Sequence, residues 1–369
     1  MQVTMGVLLS AGRYQKLLAG HWNGWRLRAL AEERNLGVRT VVAHPAALSG
    51  GLNEGYAAVP TARGWHEELV RGLPRVYHNR IVLPDPAQAR ALRQLNGDQH
   101  TVVFNETNRW RRQMVYEMLR ALPETRDLVP PTQPYAGPPR EPGLYLLATS
   151  RRAVRDRCML LQRDRRGVCW QLDPRGGLGK PLSLPAEATP APFSPGSDWK
   201  TVLISRLDRP PVGPQGHVVE WRFYLHREDQ AGAWTLAGAV AKEDIVWEPG
   251  RPALTWRVRE ALLLTFGRET SSSLEDTLSS SALAVARNLS LFLPGIAHLA
   301  TDFWVNREGL PILIDLTGHY RTHWLERVGD YSSLNRVLEH PARFARLVTR
   351  MGVAKLDVDF GRSRNAKWS

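Results

Sequence analysis

Two aspartates and a threonine near the end of the chain have the types and spacing of a metal site. Residues 299–320 read LATDFWVNREGLPILIDLTGHY, where two apolar runs flank the turn NREG and each run carries one aspartate. An antiparallel hairpin would place Asp302 across from Asp315, with Thr317 on the same face as Asp315. Three oxygen ligands on one face suit Mg²⁺ that bridges phosphates. In the alternative interpretation, one aspartate caps a turn and the other pairs with an arginine.

Two further groups of polar residues are candidates for binding. Asn79 and Arg80 follow a predicted strand, where an arginine can form paired hydrogen bonds with a substrate carboxylate. They could equally form a turn that fixes the first lobe. His319 and His323 have the spacing of a zinc-binding pair, but no third ligand is evident, so we favour a packed or solvent-facing pair.

The elements that would position these residues begin with a parallel α/β unit. Residues 3–9, 38–44, 75–84 and 101–107 are predicted strands, with helices predicted over 21–37, 84–97 and 108–122. Residues 123–143 are rich in proline and predict an extended connection at a domain boundary. We therefore expect a first domain over residues 1–129.

The rest of the chain predicts antiparallel sheets with a few helices. Residues 130–206 are expected to form a small central lobe with short strands, interrupted by a Pro/Ala/Ser-rich loop over 185–199. Cys158 and Cys169 flank the turn RDRRG and could face each other, although reduced thiols are favoured. After a predicted strand over 200–207, residues 207–352 are expected to form a third lobe with strands over 217–228 and 233–247, a helix over 271–293, the hairpin, and one or two final helices. Residues 353–369 form a basic tail.

Composition narrows the classes of function. The 369 residues carry a net charge of +13, which is spread along the chain, and no recognised nucleic-acid motif is visible. Dedicated nucleic-acid binding is therefore disfavoured, while anionic ligands suit the charge. No apolar run is long enough to span a bilayer, and the N-terminus lacks the features of a signal peptide. A cytoplasmic location is expected.

Several segments, in order along the chain, resemble the YheC/YheD family of endospore coat-associated proteins. The hairpin resembles the acidic strand pair of the ATP-grasp fold, to which that family belongs. The other matching residues are Trp65, Val76, Tyr77, Asn79, Arg80, Asn108, Trp110, Leu119, Leu122, Pro123, Glu124, Thr125, Glu220, Arg222, Trp234, Gly238 and Lys242. The similarity extends from the first strand to about Glu326.

The resemblance implies a three-lobe ATP-grasp architecture with ATP between the second and third lobes. Asp302, Asp315 and Thr317 would then hold Mg²⁺, and Leu203 and Ser205 would contact the nucleotide. Arg222 and Lys242 would contact the transferred phosphoryl group, unless Arg222 forms a salt bridge with Glu220 or Asp229 and Lys242 is a solvated surface residue. The phosphate-binding lysine and glycine loop implied by the resemblance are not apparent in residues 143–162, which leaves Arg151 and Arg152 as substitutes.

An intact member of this fold is expected to be an ATP- and Mg²⁺-dependent carboxylate–amine ligase that acts through an acyl-phosphate. Its substrate would be a small-molecule or peptide carboxylate, and the family implies a link to the spore or spore coat. The alternative is a catalytically degenerate protein with a binding or structural role in a spore-coat assembly. A related partner chain could supply the missing groups.

Overall fold

The computed structural model describes residues 3–21, 36–48, 54–82, 84–98, 100–149, 158–172, 178–181, 202–207, 213–214, 218–228, 233–243, 254–306 and 308–351. Five predictions lie outside these residues: most of the helix over 21–37, the loop over 185–199, the tail over 353–369, the positions of Arg151 and Arg152, and Asp229 as a partner of Arg222.

The first sheet is parallel at its centre, as predicted. Its strand order is β4-β3-β2-β1-β5-β6, in which β2, β1, β5 and β6 run parallel and β3–β4 is an added antiparallel hairpin. The strands are β1 Val3–Leu8, β2 Val38–Ala43, β3 Glu54–Thr61, β4 Gly64–Arg71, β5 Val76–Asn79 and β6 Val102–Phe104. The sequence did not predict the hairpin because most of β4 is exposed and lacks apolar alternation.

Helices α1 Ala11–Leu18, α2 Pro86–Gly97, α3 Arg112–Arg120 and α4 Pro123–Arg126 belong to this part of the chain. Helix α2 begins at a proline and is capped by Asp85, which accepts a hydrogen bond from the Gln88 backbone N–H at 2.8 Å. Helix α4 corrects the prediction of a fully extended connection. Pro123 occupies the first turn of a helix, where the backbone N–H that proline lacks would have no partner within the helix.

The second sheet is antiparallel, with strand order β11-β10-β9-β8-β12-β7. Its strands are β7 Thr132–Pro134, β8 Gly143–Thr149, β9 Cys158–Arg163, β10 Cys169–Leu172, β11 Leu178–Pro181 and β12 Val202–Leu207. Cys169 is a buried free thiol that lies opposite Arg163. The suggestion that Cys158 and Cys169 face each other was therefore wrong.

The third sheet is also antiparallel, with strand order β15-β14-β13-β16-β17. Its strands are β13 Val219–Arg227, β14 Trp234–Glu243, β15 Leu254–Trp256, β16 His298–Val305 and β17 Pro311–Thr317. Helices α5 Val258–Phe266 and α6 Arg268–Phe292 cover one face, where Trp221, Phe223 and Phe303 pack against Leu278 and Leu289. Helices α7 His323–Arg327 and α8 Tyr331–Met351 follow the hairpin.

The first and third sheets share a core. Helix α8 continues through Pro341 and packs Ala345 and Val348 against Met5 and Val7 of β1. Asn105, with φ of 53°, adds polar contacts. Its amide donates to the His298 carbonyl at 2.8 Å and its oxygen accepts from the Ala297 N–H at 2.9 Å. The first and third lobes are thus packed as one unit.

No helix in the described part of the chain combines the length and the hydropathy needed to cross a membrane.

Candidate functional site

The face of the third sheet opposite α6 carries a row of charged residues across three strands. Arg222 of β13 lies opposite Asp302 of β16, and Asp302 lies opposite Asp315 of β17. Side chains at paired positions point to the same face of a sheet, so the three groups are neighbours. The hairpin predicted from the sequence therefore forms, with the two aspartates across from each other.

Arg222 and Asp302 form a buried two-point ion pair. The arginine Nε donates to Asp302 Oδ1 at 2.6 Å and Nη2 donates to Oδ2; Arg222 is 2% exposed and Asp302 0% exposed. This fork-to-fork geometry is the strongest kind of charge-assisted hydrogen bond. The salt-bridge interpretation of Arg222 is thus correct in kind, but the partner Asp302 was not among those predicted; Asp229, one of the two predicted partners, lies outside the described residues.

Lys242 adds a second buried cation. Its Nζ donates to Glu220, which lies directly opposite on β13, and is 3.6 Å from Asp302 Oδ1. Lys242 is 0% exposed, so the interpretation as a solvated surface lysine is wrong. The ring of Trp324 on α7 covers both cations, with its centroid 4.4 Å from Arg222 Cζ and 4.3 Å from Lys242 Nζ. Such cation–π contacts hold the two basic groups in place.

Asp315 and Thr317 complete the row with partners from the first lobe. Asp315 Oδ2 is 3.3 Å from Arg109 Nη1, in the loop after β6. The Thr317 hydroxyl donates to the Asn108 carbonyl at 3.2 Å and accepts from the His319 N–H at 3.0 Å. Three carboxylates, Glu220, Asp302 and Asp315, therefore face three cations, Arg109, Arg222 and Lys242.

Solved structures are similar to this chain over nearly its whole length. The D-Ala:D-Ser ligase VanG of Enterococcus faecalis matches with a TM-score of 0.50 at 8% identity, over 94% of this chain and 100% of that chain. The fold is that of an ATP-grasp ligase. The D-alanine–D-alanine ligase of Coxiella burnetii matches with a TM-score of 0.48 at 9% identity, over 95% and 98% of the two chains. The ATP-grasp ligase PsnB, solved with a minimal precursor, matches with a TM-score of 0.43 at 12% identity, over 89% and 95%.

The structural match establishes the ATP-grasp fold. Because the sequence identities are so low, it does not establish the reaction. No protein-family model matches the chain, and neither does any curated protein sequence.

The chemistry of the donor set suits Mg²⁺ at two of the three predicted ligands. Asp302 and Asp315 offer carboxylate oxygens at paired positions of β16 and β17. Their present partners are arginine cations, which a metal ion would replace. The Thr317 hydroxyl fits less well, because it already bonds to Asn108 of the first lobe and to the backbone of His319 in the loop after β17.

Leu203 and Ser205 lie on the face of the second sheet that points to the third lobe. They share that face with Leu207, which packs with Leu144 and Leu146 against Trp304 and Ile314. The Ser205 hydroxyl is 2.7 Å from the Thr132 hydroxyl on β7. Their predicted contact with a nucleotide between the lobes remains a prediction.

Asn79 has a structural role within the first lobe. Its amide donates to the carbonyls of Asn105 at 3.0 Å and Glu106 at 2.7 Å, and its oxygen accepts from the Ile81 N–H at 2.9 Å. These bonds match the turn interpretation. Arg80, at the end of the same strand, lines a small cavity with His78, His298 and His319.

A group of buried histidines joins the first and third lobes. The rings of His226 and His340 stack with centroids 4.0 Å apart, and the centroids of His78 and His298 are 4.9 Å apart. Burial, followed by neighbouring positive groups, lowers the pKa of His78, His226 and His298 well below the usual value. His319 precedes α7 and His323 begins it, so the two do not form a pair on one helix.

Arg109 and Trp324 were not predicted from the sequence to belong to the site. Arg109 stood out only as part of the basic cluster RWRR, and its partner Asp315 lies 206 residues later. Trp324 was one of 13 tryptophans with no local feature to distinguish it.

Proposed function

We propose that the chain is an ATP- and Mg²⁺-dependent ligase that joins a carboxylate to an amine through an acyl-phosphate. The observation that carries the proposal is the row of buried Arg222 and Asp302 and partly buried Asp315, with Lys242 beside it, in an ATP-grasp fold. Carboxylates for a metal ion and cations for phosphate oxygens on one sheet face are the groups that phosphoryl transfer needs.

Each side chain in the row would have a distinct role. Asp302 and Asp315 would hold Mg²⁺, which when bound would neutralise charge on the phosphates. Arg222 and Lys242, held by Trp324, would bind phosphate oxygens in a site that is already shielded from water. Leu203 and Ser205 would contact the nucleotide, together with Arg151 and Arg152. Arg80 would orient the acid, while Asn79 would fix the strand end that carries it.

The substrate class is a small-molecule or peptide acid with an amine as its partner. VanG, named as a D-Ala:D-Ser ligase, is an example of a protein of this fold that acts on small amino acids. The resemblance to YheC/YheD proteins supports a search in sporulating cells, where the chain would act in the cytoplasm or on the spore coat.

Calorimetric titration with a non-hydrolysable ATP analogue, with and without Mg²⁺, tests the proposal. We expect binding that requires Mg²⁺ and that Asp315→Asn weakens at least about tenfold, because a charged ligand contact is lost. Asp276→Asn is the matched control, since Asp276 is exposed on α6. If the wild-type chain binds no nucleotide in either condition, the ligase proposal fails.

A second candidate is a degenerate ATP-grasp protein that serves as a binding or structural component of a spore-coat assembly. One observation favours it: the carboxylates and cations of the row already neutralise each other within the chain. This candidate predicts no nucleotide binding, and the activity would then belong to a related partner chain.

A further inference from the structure

A cavity of about 260 Å³ lies beside β6, the strand at one edge of the first sheet. The end of α2, the end of α6 with the loop that follows it, and α8 form its other walls. A cavity of about 150 Å³ holds a benzene molecule, and pockets for drug-sized ligands begin at about 300 Å³. The cavity is therefore large enough for about one amino-acid residue with its flanking peptide groups.

The pairing of β6 with β5 leaves one backbone donor and one backbone acceptor on the open edge. In a parallel pair, alternate residues of a strand direct both backbone groups to the same neighbour. Val102 donates to the Arg75 carbonyl at 2.8 Å, on the β5 side, while Asn105 donates to the Gly295 carbonyl at 2.8 Å, on the outer side. Val103 alternates with Val102, so its N–H and C=O point away from β5 and towards the cavity that it lines.

These two backbone groups of Val103 are buried without a partner in the described part of the chain. Val103 is 2% exposed, and neither group makes a hydrogen bond to a described residue. Buried backbone groups are almost always paired, with protein, ligand or ordered water. A donor and an acceptor on one residue match one residue of an antiparallel neighbour, which exchanges two hydrogen bonds with it. A residue between two peptide groups therefore satisfies both.

The remaining walls of the cavity favour an uncharged apolar side chain. Phe292 from the end of α6 and Phe344 and Val348 of α8 contribute apolar surface. Among the polar residues of the wall, Asn96 donates to the Glu106 carboxylate at 2.7 Å, so these two side chains already bind each other. An aliphatic side chain would bury apolar area here without leaving a charge unpaired.

The cavity is separate from the charged row, and one loop connects the two. No described residue of the row lines the cavity. Residues 105–111 join β6 to α3; Asn105 and Trp110 of this loop line the cavity, while Arg109 pairs with Asp315. A ligand in the cavity would therefore contact the loop that carries one cation of the row.

We propose that this cavity binds an uncharged peptide segment through one apolar residue that pairs with Val103. The N–H of the bound residue donates to the Val103 carbonyl, and its C=O accepts from the Val103 N–H. Its side chain packs against the apolar walls. The inference goes beyond the ligase function and does not rest on it.

Ligand-observed NMR titration without nucleotide or Mg²⁺ tests the inference with three probes: N-acetyl-leucinamide, its N-methyl-leucine analogue and N-acetylglycinamide. We expect N-acetyl-leucinamide to bind with a Kd of about 1 mM, as its size allows. The N-methyl analogue lacks the donor and N-acetylglycinamide lacks the side chain, so each should bind at least about fivefold more weakly. If N-acetyl-leucinamide does not bind, or if the N-methyl analogue binds equally tightly, the inference is wrong.

Variants and a backbone signal locate the binding. Phe292→Ala removes part of the apolar wall and should weaken N-acetyl-leucinamide at least about fivefold. Leu291→Ala is the matched control, because Leu291 is 67% exposed and does not line the cavity. In protein labelled with ¹⁵N-valine, the Val103 amide proton should shift downfield on saturation; Val103→Ile, which keeps the backbone groups, identifies the signal. Equal losses in the two alanine variants, or an unchanged Val103 signal at saturation, would contradict the assignment.

The peptide site and the ligase function fail independently. A chain that binds the ATP analogue with Mg²⁺ but not N-acetyl-leucinamide would refute the peptide site alone. A chain that binds N-acetyl-leucinamide at Val103 but no nucleotide would refute the ligase function alone.

Discussion

The Asp302 carboxylate is the group in the charged row whose loss should destabilise the protein most. Asp302→Asn keeps the shape of the side chain but removes its charge and presents an NH₂ group to the guanidinium of Arg222. Arg222 is 2% exposed and would lose its two-point partner, while Lys242 would keep Glu220. Removing one partner of a buried ion pair costs about 3–5 kcal/mol in free energy of unfolding.

Asp315→Asn is the internal comparison for this prediction. Within the described part of the chain, the Asp315 side chain makes one ion pair, at 3.3 Å to Arg109, and it is 13% exposed. We expect this change to lower the free energy of unfolding by about 1–2 kcal/mol. The two substitutions are chemically identical, so their difference measures the burial and pairing of Asp302.

Urea unfolding followed by tryptophan fluorescence and far-ultraviolet circular dichroism provides the measurement. The double variant Arg222→Met with Asp302→Leu serves as a further test, because replacing both partners of a buried pair by apolar groups is often neutral. It should be more stable than Asp302→Asn alone. The reasoning is refuted if Asp302→Asn destabilises the protein no more than Asp315→Asn does.

Two further predictions concern the junction of the first and third lobes. Burial lowers the pKa of His340 from 6.5 to about 4, although a hydrogen bond to the Arg227 carbonyl opposes the shift. As the pH falls, His340 is protonated in the unfolded chain before it is protonated in the folded chain. The free energy of unfolding should therefore fall by about 3 kcal/mol for this group between about pH 6.5 and 4. In thermal unfolding, the melting temperature of His340→Leu should depend less steeply on pH than that of the wild type. In Gly318→Ala, the added Cβ would lie 2.7 Å from Asn108 Oδ1 and should destabilise the protein by about 1–3 kcal/mol. Gly12→Ala, with nothing within 4 Å of the added Cβ, should be neutral or slightly stabilising in the same thermal assay.

The sequence predicted the local geometry of the hairpin because that geometry depends on nearby residues. Asn306 accepts hydrogen bonds from the backbone of Glu308 and Leu310, and Gly309 adopts a φ of 80° that closes the turn. With the turn fixed, the two-residue period of the strands places Asp302 and Asp315 across from each other. Similarly, the proline at the start of the segment 84–97 predicted the beginning of α2, which the structure places at Pro86.

The partners of the two aspartates could not be predicted in the same way. Alternation shows which residues of β13 share a face, but not that β13 lies beside β16, 80 residues further along the chain. The resemblance implied that Arg222 and Lys242 belong to the site, yet not that they would contact Asp302 directly. The contact between Arg109 and Asp315 depends in addition on how the first lobe packs against the third.

The balance of charge in the row has a consequence for any ligand that binds there. Glu220, Asp302 and Asp315 match Arg109, Arg222 and Lys242, so the charges of these six groups sum to zero. Under the proposed function, a metal ion alone would displace cations that then have no partner, and a triphosphate alone would draw the cations from carboxylates that then have none. Each ligand supplies what the other leaves uncompensated, and such coupling is reciprocal by thermodynamic necessity. A site of this kind should therefore bind Mg²⁺ and nucleotide together or bind neither. A degenerate descendant would retain the same neutral network for its contribution to the fold.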